Sequence, residues 1–179
     1  INELEPFEEV RPRQGDIFDS PADALVSPAN SFAIMDGGID RAIWERLGFA
    51  VEKRAQDAIL EHHHGELPVG HALIVPTEHA EWRWLIVAPT MRVPENVATT
   101  LNAYLAFRAA LAAVVRFNRT NAEPIESVAC PGMGTGIGGM SERRAAAQMR
   151  VAYQSLKAPA RIASFNTIHE VHRKLKTVS

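Results

Sequence analysis

One cysteine, Cys130, leaves no internal disulfide framework open to this chain, and that economy fits a reducing compartment. Its place in an apolar, strand-like run predicts a buried, inert thiol rather than a nucleophile. No apolar run approaches the length of a membrane span. The opening Ile1-Asn2-Glu3-Leu4-Glu5 also lacks the basic and apolar pattern of an export signal, so a cytoplasmic, soluble chain is expected. A large excess of charge of one sign is missing too: a net charge of −2, with Lys and Arg scattered, gives no broad surface for duplex nucleic acid. Repeats, linkers and low-complexity segments are missing, and there is no G-x-S-x-G elbow for a serine nucleophile.

What is present is enough apolar material, 46% of 179 residues, for one domain with a sizeable core. Short apolar runs at 24–26, 71–75 and 84–88, the last two closed by Pro76 and Pro89, read as strands. Weaker strand candidates lie at 7–13 and 161–165. Between them the apolar spacing predicts helices at 39–47, continuing past Gly48 through Val51, Ala55, Ile59 and Leu60, and at 98–117. In the second of these, Leu101, Leu105, Arg108, Leu111 and Val115 share one face. Ser141 can cap a helix reaching about residue 156, and a last helix spans 168–175. Strands alternating with helices imply an α/β fold: a three-layer α/β/α sandwich around a mixed sheet, forming one domain over residues 1–179.

The stretch 127–140, SVACPGMGTGIGGM, carries the strongest chemical signal. Five of the eight residues from Gly132 to Gly139 are glycine, and a helix opens directly afterwards. Such a loop can lay bare backbone amides against phosphate oxygens. Gly134, Gly136 and Gly139 do spell the dinucleotide fingerprint G-x-G-x-x-G, but that motif needs an acidic residue about 20 positions on. No Asp or Glu occurs between Glu142 and Glu170. A ligand-free turn would need fewer glycines.

Seven histidines invite a metal reading. Yet His62, His63 and His64 would point about 100° apart on a helix, and His169-Glu170-Val171-His172 falls one residue short of the spacing that aligns two imidazoles. Neither predicts a metal site. A second glycine pair, Gly37-Gly38, opens the first helix, flanked by Asn30 and Asp40. An amide there can bind hydroxyls, and a carboxylate can orient a water and accept its proton.

Gly15-Asp16-Ile17, Asp23 through Ser31 (DALVSPANS), Gly37 through Ile43 (GGIDRAI) and Gly134 through Gly139 (GTGIGG) follow one another as the ordered signatures of the macro domain do. The chain resembles that ADP-ribose-binding family over nearly its whole length. The resemblance implies a site in which Asp16 and the Ile17 backbone hold adenine and Phe165, near the end of the last strand, covers the base. Gly37, Gly38 and Ile39 would face Gly134, Thr135, Gly136, Ile137 and Gly138 across the diphosphate, with Ala29 beside them. Asn30 would bind the distal ribose, and Asp40 would stand near its anomeric carbon.

The chain departs from the family pattern twice: Met35-Asp36 replace part of the first glycine run, and Gly138 stands where an aromatic usually packs on the distal ribose. The first departure puts an extra carboxylate near the phosphates, and the second implies a more open pocket. The activity implied is that of an ADP-ribosyl hydrolase working without metal or cofactor on ADP-ribosylated protein or DNA. A non-catalytic ADP-ribose reader and an ADP-ribose 1″-phosphate phosphatase would use the same pocket.

Overall fold

In the computed structural model, Leu4 and residues 7–178 are described. The opening residues that show no export-signal pattern lie outside them, apart from Leu4. Four strands, β1 (Ala24–Ser27), β2 (Leu73–Pro76), β3 (Trp84–Val87) and β4 (Val128–Ala129), form a sheet in the order β2-β3-β1-β4. β1 runs parallel to both β3 and β4, whereas β2 is antiparallel to β3, so the sheet is mixed. β1 is buried along its length, as the central strand of a sheet covered on both faces must be.

Alternation along β1 sorts the core into two layers. Leu25 points to one face, where Ile43, Val51, Ala55 and Ile59 come from α1 (Gly38–Leu47) and α2 (Ala50–His63). Ala24 and Val26 point to the other, against α3 (Asn102–Thr120) and α4 (Glu142–Lys157). The result is the α/β/α sandwich that the alternating pattern implies. Among the described residues no helix is long and apolar enough to cross a membrane.

The buried face of α3 is not the leucine stripe. Ala103, Ala106, Phe107, Ala110 and Ala113 are buried, while Leu105 and Val115 are exposed and Arg108 lies among them in solvent. Small side chains let α3 approach α4, whose own buried face is Ala145, Ala147, Gln148, Met149 and Ala152. Gln148, fully buried, accepts from the Tyr104 amide at 3.0 Å and donates to the Thr100 carbonyl at 2.8 Å. It thereby caps an α3 terminus that has no side-chain cap of its own.

Two expected strands do not form. Residues 7–13 take no place in the sheet: Phe7 packs edge-on against Tyr153 and Lys157 pairs with Glu9, which draws the segment onto α4. Pro12 could not have donated to a ladder in any case. Residues 161–165 also form no strand. Ser164 accepts from the Thr167 amide and starts α5 (Phe165–Thr177) at once, so the local cap prevails over a short apolar run. Ser141 caps α4 in the same way, as its sequence position predicts.

Candidate functional site

Because β3, β1 and β4 run parallel, the loops that follow them leave from one rim of the sheet. In open α/β sheets this carboxyl-terminal rim is where ligands bind. The loop after β1 spans 28–37 and leads into α1. The one after β4 spans 130–141 and leads into α4, and the one after β3 lies beside both. Backbone bonds tie the three together: Ala88 N to Ser27 O (3.0 Å), Thr90 N to Ala29 O (3.1 Å), Ser31 N to Arg92 O (3.1 Å) and Val97 N to Gly138 O (2.8 Å). Ala29 is therefore buried at the base of the rim, with its carbonyl already engaged.

Asn30 builds its own loop. Its Oδ1 accepts from the amides of Phe32 (3.1 Å) and Ile34 (3.2 Å), and its Nδ2 donates to the Ile34 carbonyl at 2.8 Å. A ribose hydroxyl could thus reach only the remaining N–H of the side chain. Met35, where the family carries glycine, is buried, and its amide donates to Glu52 Oε1 at 3.0 Å. Asp36 is exposed at the mouth of the loop. Gly37 then supplies an N-cap without a side chain, and Gly38 opens α1 with φ +56°, a backbone that other residues adopt only under strain. The amides of Gly38 and Ile39 lie in the first turn, where no carbonyl of their own helix can reach them.

Across the rim, the second glycine loop curls on itself through Gly139 N to Gly136 O and Met140 N to Gly134 O, each 3.0 Å. Among the described residues, the amides of Thr135, Gly136, Ile137 and Gly138 make no hydrogen bond. The two loops meet where a methyl on Gly37 would lie 4.0 Å from Ile137 Cδ1. Ile137 is exposed there. Val97, distant in sequence from both loops, forms the floor of the second one.

Gly138 corrects the expectation of an opened pocket. It is buried, and a Cβ there would come within 2.5 Å of the Gly134 carbonyl oxygen and 2.6 Å of Val97 Cγ2. The space is already filled by loop backbone and a valine, so this glycine serves close packing and removes no wall. Phe165 requires a second correction. Instead of ending a strand it begins α5, is 78% exposed, and has the His169 ring of its own helix as its aromatic neighbour. The strand placement on which its base-covering role rested does not hold.

Asp16 caps a short 3-10 turn, Ile17–Asp19, its Oδ1 accepting from the Phe18 amide at 3.0 Å. Phe18 packs edge-on against Trp82, and the Arg46 guanidinium lies over both rings. Asp40 stands at the head of α1. It projects from the first turn, and its Oδ1 accepts from Ser27 Oγ at 2.6 Å. Burial pushes its carboxyl up to about 6, the Ser27 hydrogen bond opposes that rise, and the charge of Asp36 adds to it. Cys130 is different in kind: burial pushes its thiol far up, with Sγ against Met133 Sδ and the Pro131 carbonyl, so no thiolate nucleophile stands here.

Among the described residues no three His, Cys, Asp or Glu side chains converge on a possible metal ion. His62, His63 and His64 end α2 at the surface, His63 lying edge-on to His71. Ser27, Glu52 and Val97 are the site residues that spacing missed. Their parts depend on contacts 13, 17 and about 40 residues away in sequence.

The Macro domain model matches residues 26–149, which include both glycine loops. An uncharacterized protein of Aeropyrum pernix is 35% identical over 143 residues, 80% of this chain and 69% of that protein. The O-acetyl-ADP-ribose deacetylase of Escherichia fergusonii is 32% identical over 142 residues, 77% of this chain and 73% of its own length. In structure, the macrodomain of Mycobacterium tuberculosis DarG superposes with a TM-score of 0.66 at 22% identity, covering 80% of this chain and 89% of that one. With its parallel-strand rim, paired glycine loops and matched model, the chain belongs to the Macro domain family.

Proposed function

We propose that this domain binds ADP-ribose across the rim and hydrolyses it from an acceptor joined to the distal ribose. The observation that carries the reading is Asp40: a part-buried carboxylate at the head of α1, held by Ser27, on a rim where the amides of Gly38, Ile39 and residues 135–138 have no partner among the described residues. In this arrangement the amides of Gly38, Ile39 and the 135–138 loop bind the diphosphate. Asp16 and the Ile17 backbone take the adenine, and the free N–H of Asn30 meets the distal ribose. A water beside Asp40 attacks the anomeric carbon. Its oxygen forms the new C–O bond as the bond to the acceptor oxygen breaks, and its proton passes to the Asp40 carboxylate and then to solvent. A carboxyl tuned to about 6 is basic enough for this at neutral pH and still mostly ionised.

Gly138, filled from behind, gives no extra room for a nucleobase, and a relative 32% identical is named for an ester of ADP-ribose. Both favour a carboxylate ester over ADP-ribosylated DNA as the substrate. The test is calorimetry with free ADP-ribose, followed by turnover on glutamate-ADP-ribosylated protein and on ADP-ribosylated DNA, with and without EDTA. Binding with release from the ester, unchanged by EDTA, is the expected result. No heat at millimolar ADP-ribose removes the ligand assignment, whereas binding without release from either substrate makes the domain a reader.

A further inference from the structure

We propose that Ser27 is a positioning residue for Asp40, its hydroxyl fixing one carboxylate oxygen so that the other faces the reacting water. Ser27 ends β1, the strand flanked on both sides, and is 1% exposed. Its register opposite Val87 and the bond from Ala88 N to its carbonyl hold its backbone against β3. A serine so held has only χ1 and its hydroxyl torsion left to set, and its proton goes to Asp40 Oδ1 at 2.6 Å. Oδ2 makes no hydrogen bond among the described residues, which leaves it as the oxygen able to take a proton.

The remaining charged groups near this carboxyl are placed differently. Asp36 faces it from the preceding loop, where like charge favours the protonated form. Arg41, the next residue on α1, turns to Glu45 at 2.8 Å and leaves Asp40 without a cation on its own helix turn. The Ser27 hydroxyl is thus the group that opposes both burial and Asp36. A buried serine that merely needed a partner would have no such effect on chemistry, so the two roles can be separated.

This assignment uses the hydrolytic reading for its kinetic consequence and not for its geometry, so the test has one arm that needs no turnover. The Asp40 carboxyl is titrated by carbon-13 NMR, identified by its loss in Asp40→Asn, in wild type, Ser27→Ala, Ser27→Cys and Ser27→Thr. Thermal melts first establish that each variant folds, the cysteine variant keeping nearly the native volume if alanine does not. Removing the hydroxyl should raise the titration midpoint by about one pH unit, and threonine should restore it. The second arm expects Ser27→Ala to lower kcat at pH 7 by about tenfold with ADP-ribose affinity within about threefold of wild type. A midpoint that does not move in either the alanine or the cysteine variant overturns the proposal. So does a loss of affinity equal to the loss of kcat. If no substrate turns over, the hydrolytic reading has failed while the titration still decides the role of Ser27.

Discussion

An aspartate stands at each end of strand β1, Asp23 directly before it and Asp40 brought to its last residue from the head of α1, and the two live in opposite circumstances. At the amino end, Asp23 accepts from the Glu126 and Ser127 amides at 2.8 and 3.0 Å, from the Ser127 hydroxyl, and from the Arg83 guanidinium at 3.0 Å. Burial would raise its carboxyl, but these donors together hold it below the usual aspartate range. It is a clasp joining the starts of β1, β3 and β4. At the carboxyl end, Asp40 has the Ser27 hydroxyl alone among the described residues, faces Asp36, and is pushed up to about 6. One end of the sheet gives its carboxylate four donors, and the other leaves a carboxylate and a row of amides available. A parallel sheet distributes stability and chemistry to opposite rims in this manner because its strands deliver helix amino ends, with their free N–H groups, to one side only.

Breaking the clasp should have the largest effect on the fold. Asp23→Ala is expected to lower stability by about 3 kcal/mol, since four donors, one of them a guanidinium, lose a charged acceptor at once. ADP-ribose affinity at the far rim should stay within about twofold while the protein remains folded. Urea unfolding and calorimetry check both halves, and an affinity loss matching the stability loss would erase the division between the two ends.

The matching change at the other rim should have the opposite sign. Asp40 has a folded-state value above the unfolded one, so its contribution to stability is fully present below about 4 and is lost as pH rises through about 6. Asp40→Asn should therefore stabilise the domain by up to about 3 kcal/mol at pH 8 and by little at pH 4. It should also lower turnover by about 10²-fold or more, and the wild type should lose activity below pH 6. Asp23, with a lowered value, should show the reverse dependence, its contribution being lost as pH falls. Thermal melts across pH 4 to 8 for the two variants settle the sign.

The smallest expected effects lie within the second glycine loop and sharpen what the open rim consists of. Gly138→Ala should cost about 1 to 3 kcal/mol, because its methyl meets the Gly134 carbonyl and Val97. Gly136→Ala meets nothing within 4 Å and should change stability by less than about 0.5 kcal/mol. Equal losses in thermal melts would mean that the loop is not divided into a packed glycine and a free one.

Much of this division is legible in the amino-acid sequence. The three strands at 24–26, 71–75 and 84–88 form within a residue or two of their apolar runs, because short runs closed by proline have few other solutions. The capping serine at 141 and the glycines at both loops act locally, over three or four residues, which is why their spacing suffices. The same local physics explains the failure at 161–165: Ser164 begins a helix that the apolar pattern alone does not reveal. Leu105 and Val115 mislead for another reason. Helical spacing identifies a face but cannot say that a neighbouring helix prefers the alanine side for close approach.

By itself, then, the sequence determined the alternation of strands and helices, the two glycine loops and the identity of the acid at the head of α1. All of these rest on periodicity or on chemistry within a few residues. Only the tertiary structure decided that Ser27 meets Asp40, that Val97 and the Gly134 carbonyl fill the space beside Gly138, and that Asp23 binds residues more than a hundred positions away. Such contacts depend on which strands become neighbours. That choice is made by burying both faces of β1 at once, a condition that no local stretch of the chain expresses.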